Sequence, residues 1–280
     1  MNSREITGKT IDETIEAGLL PPVLYKYRTW DNPKTKSILT DRQIFMSSPL
    51  KFDDPMDCHN FIDFEGASIS EILEYWMGVA KRNTDYITDE ELIHEVVRLF
   101  NTHPLNDLIN YAIYKTEEEK KLLGILCLTS LKTNEFLWQS YAKNASGYCI
   151  GFDSKILAEV IQCGGGLIDY DYIDKLPRIS PIDPIMMQRY KMSQVKLKKY
   201  EPEQEYRLIK LYYKSPEESE MLRNFGVKIE LPKEAYKELI LGYNISHEDE
   251  SEILTIVKRD FPNIKIYRAV MKSDDSIEII

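Results

Sequence analysis

Apolar and polar positions change period several times along this chain of 280 residues, and each change predicts an element. Residues 9–19 read as a short helix with Thr10 or Asp12 as N-cap, stopped by Pro21-Pro22. Aromatic and β-branched residues then crowd 23–27, as in a strand. Asp31-Asn32-Pro33 opens a helix over 33–39, and 42–47 reads as a second strand closed by Ser48-Pro49. From 69 to 122 the period lengthens. Ile69, Ile72, Leu73, Trp76 and Val79 recur at helical spacing, and 91–100 and 105–114 repeat the pattern. Strand-like runs return at 124–129, 148–152, 167–172, 203–213, 227–231, 238–243 and 264–271. Between them, helices are expected at 134–143, 154–163, 184–200 and 253–259. Gly164-Gly165-Gly166 reads as the terminator of the 154–163 helix, because it lacks the GK[ST] ending of a phosphate loop.

Strands in series with helices gathered in blocks predict an α+β fold. The expected organisation is a single domain over 1–280. Residues 20–66 and 123–272 form its α+β core, and 67–122 form a helical insertion of about three helices.

Composition narrows the function classes. With 43% hydrophobic and 29% charged residues the chain can build a sizeable core. The net charge of -10 argues against a broad, sequence-independent grip on nucleic acid. Cys58, Cys127, Cys149 and Cys163 form no CxxC pair, so no metal is expected. No apolar run is long enough for a signal or a membrane span, and the cytoplasm is the expected location.

Four clusters carry candidate chemistry. Glu203, Glu205 and Arg207 alternate onto one face of the 203–213 strand, where two close carboxylates shift each other's pKa and the arginine holds one ionised. Tyr25, Tyr27 and Arg28 offer stacking surface and a bidentate fork for phosphate or carboxylate. Ser47 and Ser48 run towards the acidic turn of Asp53, Asp54 and Asp57. Trp138 and Tyr141 lie three apart on a helical face. The plain alternative for each is structural: a surface ion pair, a packed aromatic strand, a turn, a core pair.

Taken in order, Leu24-Tyr25-Lys26-Tyr27-Arg28, Ile44-Phe45-Met46-Ser47-Ser48-Pro49, Phe52-Asp53-Asp54-Pro55-Met56-Asp57-Cys58, Trp138-Gln139-Ser140-Tyr141-Ala142, Gly147-Tyr148-Cys149-Ile150-Gly151-Phe152-Asp153 and Glu203-Gln204-Glu205-Tyr206-Arg207 resemble the bacterial domain of unknown function 2971 family over about residues 22–270. Asp53 stands where that family usually shows Asn, and Met56 where it shows Phe. A more distant resemblance is to ADP-ribosyltransferases, whose plan has a first strand ending in a basic residue, a strand ending in serines and a late strand bearing Glu-x-Glu. It implies a split antiparallel or mixed β-sheet core, with NAD as substrate cleaved at the nicotinamide–ribose bond, in a toxin or phage-defence effector. Carried onto this chain, it makes Glu205 catalytic and lets Glu203 orient the acceptor, a macromolecule it does not identify. Arg28 would hold an NAD phosphate or ribose, and Ser47 would support the pocket. Tyr25, Tyr27, Ser48, Trp138, Tyr141 and Arg207 complete the expected nucleotide site. Two rivals stand beside it: a non-catalytic nucleotide- or protein-binding module, and a metal-dependent nuclease using Asp53, Asp54 and Asp57. Under the enzyme reading, Glu205→Gln should leave the thermal melt nearly unchanged.

Overall fold

Strand β1 (Val23–Arg28) is short because prolines precede it and Asn32 follows it. The Asn32 side chain accepts the backbone N–H of Thr35 and caps α2 (Pro33–Thr40) at its proline-led first turn. The computed structural model describes residues 11–83, 88–212, 220, 222, 226–274 and 276–280. Residues 9 and 10, at the start of the expected 9–19 helix, and residue 213, at the end of the expected 203–213 strand, lie outside the described residues.

β1 lies inside an eight-stranded sheet. Its neighbours are β4 (Tyr148–Asp153) on one side and β3 (Leu123–Thr129) on the other, both antiparallel. Beyond β4 come β10 (Tyr236–Leu241), β11 (Lys265–Met271) and β12 (Ile277–Ile279), the last unforeseen from the sequence. Beyond β3 come β8 (Glu205–Leu211) and β5 (Gly164–Leu167). Within the sheet only β10 and β11 run parallel. Two small ladders stand apart, β2 (Gln43–Met46) with β9 (Val227–Glu230) and β6 (Asp169–Tyr172) with β7 (Val195–Leu197). The chain is thus α+β around a large, mostly antiparallel sheet.

Alternation along β1 divides its side chains between two apolar layers. Leu24 joins Ile150, Leu126 and Leu239 beneath α2, α7 (Ser154–Ile161) and α9 (His247–Asp260). Tyr25 and Tyr27 join Trp138, Cys149 and Ile240 on the other face. Helices α3 (Ile69–Asn83), α4 (Asp89–Thr102) and α5 (Leu105–Lys120) fill the region expected to be a helical insertion. They pack through Ile72, Trp76, Val96, Leu108 and Ala112, with Ile62, Phe64 and Met192 closing the layer. Among the described residues no helix is long and apolar enough to cross a membrane.

Three local expectations are corrected. The glycine run does not terminate a helix: α7 ends at Gln162, in the left-handed conformation, and Gly164 to Gly166 pair with Ile209, Leu208 and Arg207 as an edge strand. The expected 184–200 helix stops at Ser193 in α8 (Ile185–Ser193), and the chain turns into β7. The expected 203–213 strand begins only at Glu205. Glu203 sits in a 3₁₀ turn containing Pro202, and Gln204 is left-handed with φ 45°, so plain strand alternation does not apply to the Glu-x-Glu pair.

The glycine run follows from close approach. A Cβ on Gly165 would stand 2.0 Å from the Arg207 carbonyl oxygen. Gly165→Ala should therefore detach the β5 edge and lower stability by about 1–3 kcal/mol, the usual penalty for overpacking. A denaturant midpoint equal to wild type would contradict this account of the run.

Candidate functional site

β3 has different partners along its length. It pairs with β1 at Tyr25↔Thr129, whereas further along Ile125 exchanges backbone hydrogen bonds of 2.9 Å with Ser47. Between these contacts the Lys26 ammonium, not a backbone N–H, donates to the Cys127 carbonyl at 2.7 Å. A cleft of about 930 Å³ opens there, bordered by Arg28, Ser47, Cys127, Tyr141, Lys196 and Glu205 among others.

The cleft floor is a buried charged network. Arg207, with no exposed side-chain surface, lies on β8 and donates from Nε and Nη2 to Glu205 at 2.8 and 3.1 Å. Its Nη1 and Nη2 donate to Asp57 at 2.9 and 2.6 Å. Nη1 also reaches the Ser193 carbonyl at 2.9 Å, one of the acceptors left open where α8 ends. Lys196 lies 2.5 Å from Glu203, 3.5 Å from Asp57 and 3.6 Å from Glu205. Three carboxylates thus face two cations, so the fully ionised group has an excess negative charge.

Neighbouring contacts fix this arrangement. Glu205 N–H donates to the Tyr170 hydroxyl at 3.0 Å, and its carbonyl accepts from Ile168 N–H at 3.0 Å. The Thr129 hydroxyl donates to the Gln204 carbonyl at 2.8 Å, and Asn134 Nδ2 to that of Pro202 at 2.8 Å. Asn134 also caps α6 (Glu135–Ser140), tying the helix that carries Trp138 to the turn that carries Glu203.

Environment separates the two glutamates. Burial alone would raise the Glu205 pKa, but Arg207 and then Lys196 outweigh it and hold the carboxyl down to about 2. Burial raises that of Glu203, and Lys196 does not fully offset it. Lys196 is more basic than an ordinary lysine: burial disfavours its charge, but Glu205, Asp57 and Glu203 overcome that. Burial, assisted by Arg28, pushes Lys26 down to about 7. Burial also raises the Cys127 and Cys58 thiols, which argues against a thiolate nucleophile here.

Of the residues expected at a nucleotide site, Tyr25, Tyr27, Arg28, Ser47, Tyr141, Glu203 and Glu205 border the cleft. Ser48, Trp138 and Arg207 do not. Ser48 is fully buried and caps the 3₁₀ turn Pro49–Lys51. Trp138 is fully buried and meets Tyr27 edge-on, with centroids 5.0 Å apart, as a core pair. Arg207 lies beneath the floor and acts on the carboxylates. Tyr25 and Tyr27 spend their hydroxyls on Glu238 and the Leu131 carbonyl, so only Tyr141, 44% exposed, offers a free aromatic surface among these. Asp57 is committed to Arg207, and Asp54 accepts the Met56 N–H at 3.0 Å, so the acidic turn is not one donor set. Among the described residues no group of three His, Cys, Asp or Glu side chains could hold a metal ion. Sequence reasoning passed over Lys196 as a cleft residue and did not single out Lys26. Its place two residues before Arg28 on a strand was the available signal.

With this geometry in view, residues 137–253 match the family model described as "Protein of unknown function (DUF2971)". The chain is similar to DUF2971 over that stretch. No curated protein and no solved structure matches it. The DUF2971 stretch contains Tyr141, Lys196, Glu203, Glu205 and Arg207, while Lys26, Arg28 and Asp57 of the same cleft lie before it.

The network makes acid stability readable. A Glu205 held down to about 2 is ionised when folded, whereas the unfolded chain takes up a proton below the ordinary value of 4.5. Its stabilisation is therefore complete above that value and is lost as pH falls towards about 2. It amounts to about 3 kcal/mol, and Glu203, shifted the other way, opposes it in part. Urea unfolding of wild type and Glu205→Gln across this range should converge at low pH, and at neutral pH the variant should be the less stable. This corrects the expectation of an unchanged melt; a constant gap at all pH values would contradict the clamp.

Proposed function

We propose that the cleft is the active site of an ADP-ribosyltransferase-like enzyme that cleaves NAD at the nicotinamide–ribose bond. The observation that carries this reading is the joint placement of Arg28 and an arginine-paired Glu205 on one cleft, across the opening between β1 and β3.

Breaking the glycosidic bond sends its electron pair to nicotinamide and leaves oxocarbenium character on the ribose. A fixed carboxylate facing that charge stabilises it without itself changing protonation. Glu205 suits this role because Arg207 holds both its position and its ionisation. A carboxylate has about four lone-pair sites, so the arginine contacts leave capacity to accept a ribose hydroxyl. Glu203, on the neighbouring turn and shifted upwards, is the better group to orient an acceptor and take its proton. Ser47 and the exposed ring of Tyr141 supply walls.

One observation favours a second reading. Both oxygens of Glu205 already accept from Arg207, as in a purely structural ion pair. On that reading the cleft binds a nucleotide and does no chemistry.

Incubation of the purified protein with NAD separates the two. The proposal expects nicotinamide release, reduced by about 10²-fold or more in Glu205→Gln assayed well below its melt, in keeping with the loss of a preorganised electrostatic group. Calorimetric binding of NAD with no nicotinamide released would favour the binding module. Full turnover by Glu205→Gln would sink the assignment.

A further inference from the structure

The cleft also carries a group of cations that the acidic floor does not pair. Lys26 and Arg28 alternate onto the same face of β1, and Lys34 stands in the first turn of α2. All three border the cleft, as does Lys51. Among the described residues, Lys26, Arg28 and Lys34 have no carboxylate within ion-pair distance. Lys26 donates to the Cys127 carbonyl, Arg28 donates to the Tyr27 carbonyl at 3.0 Å, and the Lys34 ammonium lies 4.9 Å from the centre of the Phe45 ring. Other buried cations here are paired: Arg207 and Lys196 in the floor, and Lys120 with Glu117 at 2.8 Å. Acidic residues outnumber basic ones, 46 to 36, so neutralising carboxylates are not in short supply.

Holding like charges together inside a concave site costs energy, and here the cations weaken one another. Burial and then Arg28 lower the basicity of Lys26, with a further contribution from Lys34 that Cys127 and Glu205 oppose. Burial, Arg28 and Lys51 lower that of Lys34. Asp53 and Asp54 also border the cleft, but Asp54 is turned onto the Met56 N–H. An anion seated among the cations would relieve this repulsion in a partly dehydrated setting, where ionic hydrogen bonds are strong.

We infer that Lys26, Arg28 and Lys34 form a subsite for the pyrophosphate of a dinucleotide or nucleoside-diphosphate sugar. Arg28 and Lys34 match the two charges of a pyrophosphate diester, Lys26 takes up its proton more readily once an anion is seated, and the Arg28 fork suits two of the oxygens. The cationic wall and the carboxylates then fix the ligand's direction. Anionic phosphorus groups sit by β1 and α2, and the uncharged hydroxyl-bearing sugar lies by Glu203 and Glu205, where a phosphate would be repelled. Lys34 selects for the pyrophosphate by charge, since it is exposed and carries no core packing. The inference rests on the enzyme reading only for which sugar bond lies at Glu205; the anion subsite stands without it.

Titration calorimetry of the full chain with ADP-ribose, and separately with adenosine, tests this. ADP-ribose should bind much more tightly than adenosine, and Lys34→Ala should weaken ADP-ribose binding about tenfold, the loss of one charge-assisted contact. Arg28→Ala should weaken it further. Wild-type-like circular dichroism spectra should show that both variants are folded. ADP-ribose binding no tighter than adenosine, or equal ADP-ribose affinity in wild type and Lys34→Ala, would overturn the subsite. If ADP-ribose behaves as expected but NAD yields no nicotinamide, the subsite is supported and the glycosidic reading fails.

Discussion

Arg207 is the group on which the rest of the site depends. A guanidinium with no solvent contact is tolerable only if nearly every donor is matched, and this one is shared between Glu205 on its own strand, Asp57 on a distant turn and the Ser193 carbonyl. Those contacts draw together three chain segments that share no ladder at that point. They also decide ionisation: the guanidinium keeps Glu205 charged in a place where burial alone would neutralise it. Lys196 ties Glu203 to the same group, but there burial is not fully offset.

A second constraint is the divergence of β1 from β3. Had the two strands stayed paired beyond Tyr25, backbone N–H groups would have met the β3 carbonyls and no cleft would exist. Instead Lys26 reaches across to Cys127, and the opening keeps a polar lining. One cleft therefore has a carboxylate floor at β8 and a cationic wall at β1 and α2. A molecule with an anionic part and a neutral sugar part meets both, which is why a pyrophosphate-bearing nucleotide is the ligand class put forward.

Much of the fold was legible because single elements obey local rules. The proline-bounded β1, the Asn32 cap and the helical period of 69–122 depend on residues close in sequence. The misread segments are those where a distant partner decides. The glycine run looks like a helix terminator, but Gly165 is required by the Arg207 backbone packed against it. Residues 184–200 read as one helix, yet the chain leaves the helix at Ser193 and buries Lys196 among carboxylates. Glu203 and Glu205 resemble strand neighbours, but Glu203 belongs to a 3₁₀ turn with Pro202 and a left-handed Gln204 separates the two, and Lys196 reunites their side chains. Trp138 lay in a motif shared with a known family, and its place is the core behind Tyr27. Asp57 looked like turn chemistry because its partner lies 150 positions away.

The central claim is that Asp57 and Glu205 act as one unit through Arg207. A double-mutant cycle with Asp57→Asn and Glu205→Gln, read as unfolding free energies at neutral pH, tests it most directly. The account predicts that the effect of both substitutions departs from the sum of the single effects by more than about 1 kcal/mol, as expected for groups sharing one buried partner. Additivity to within about 0.5 kcal/mol, the behaviour of independent sites, would contradict it.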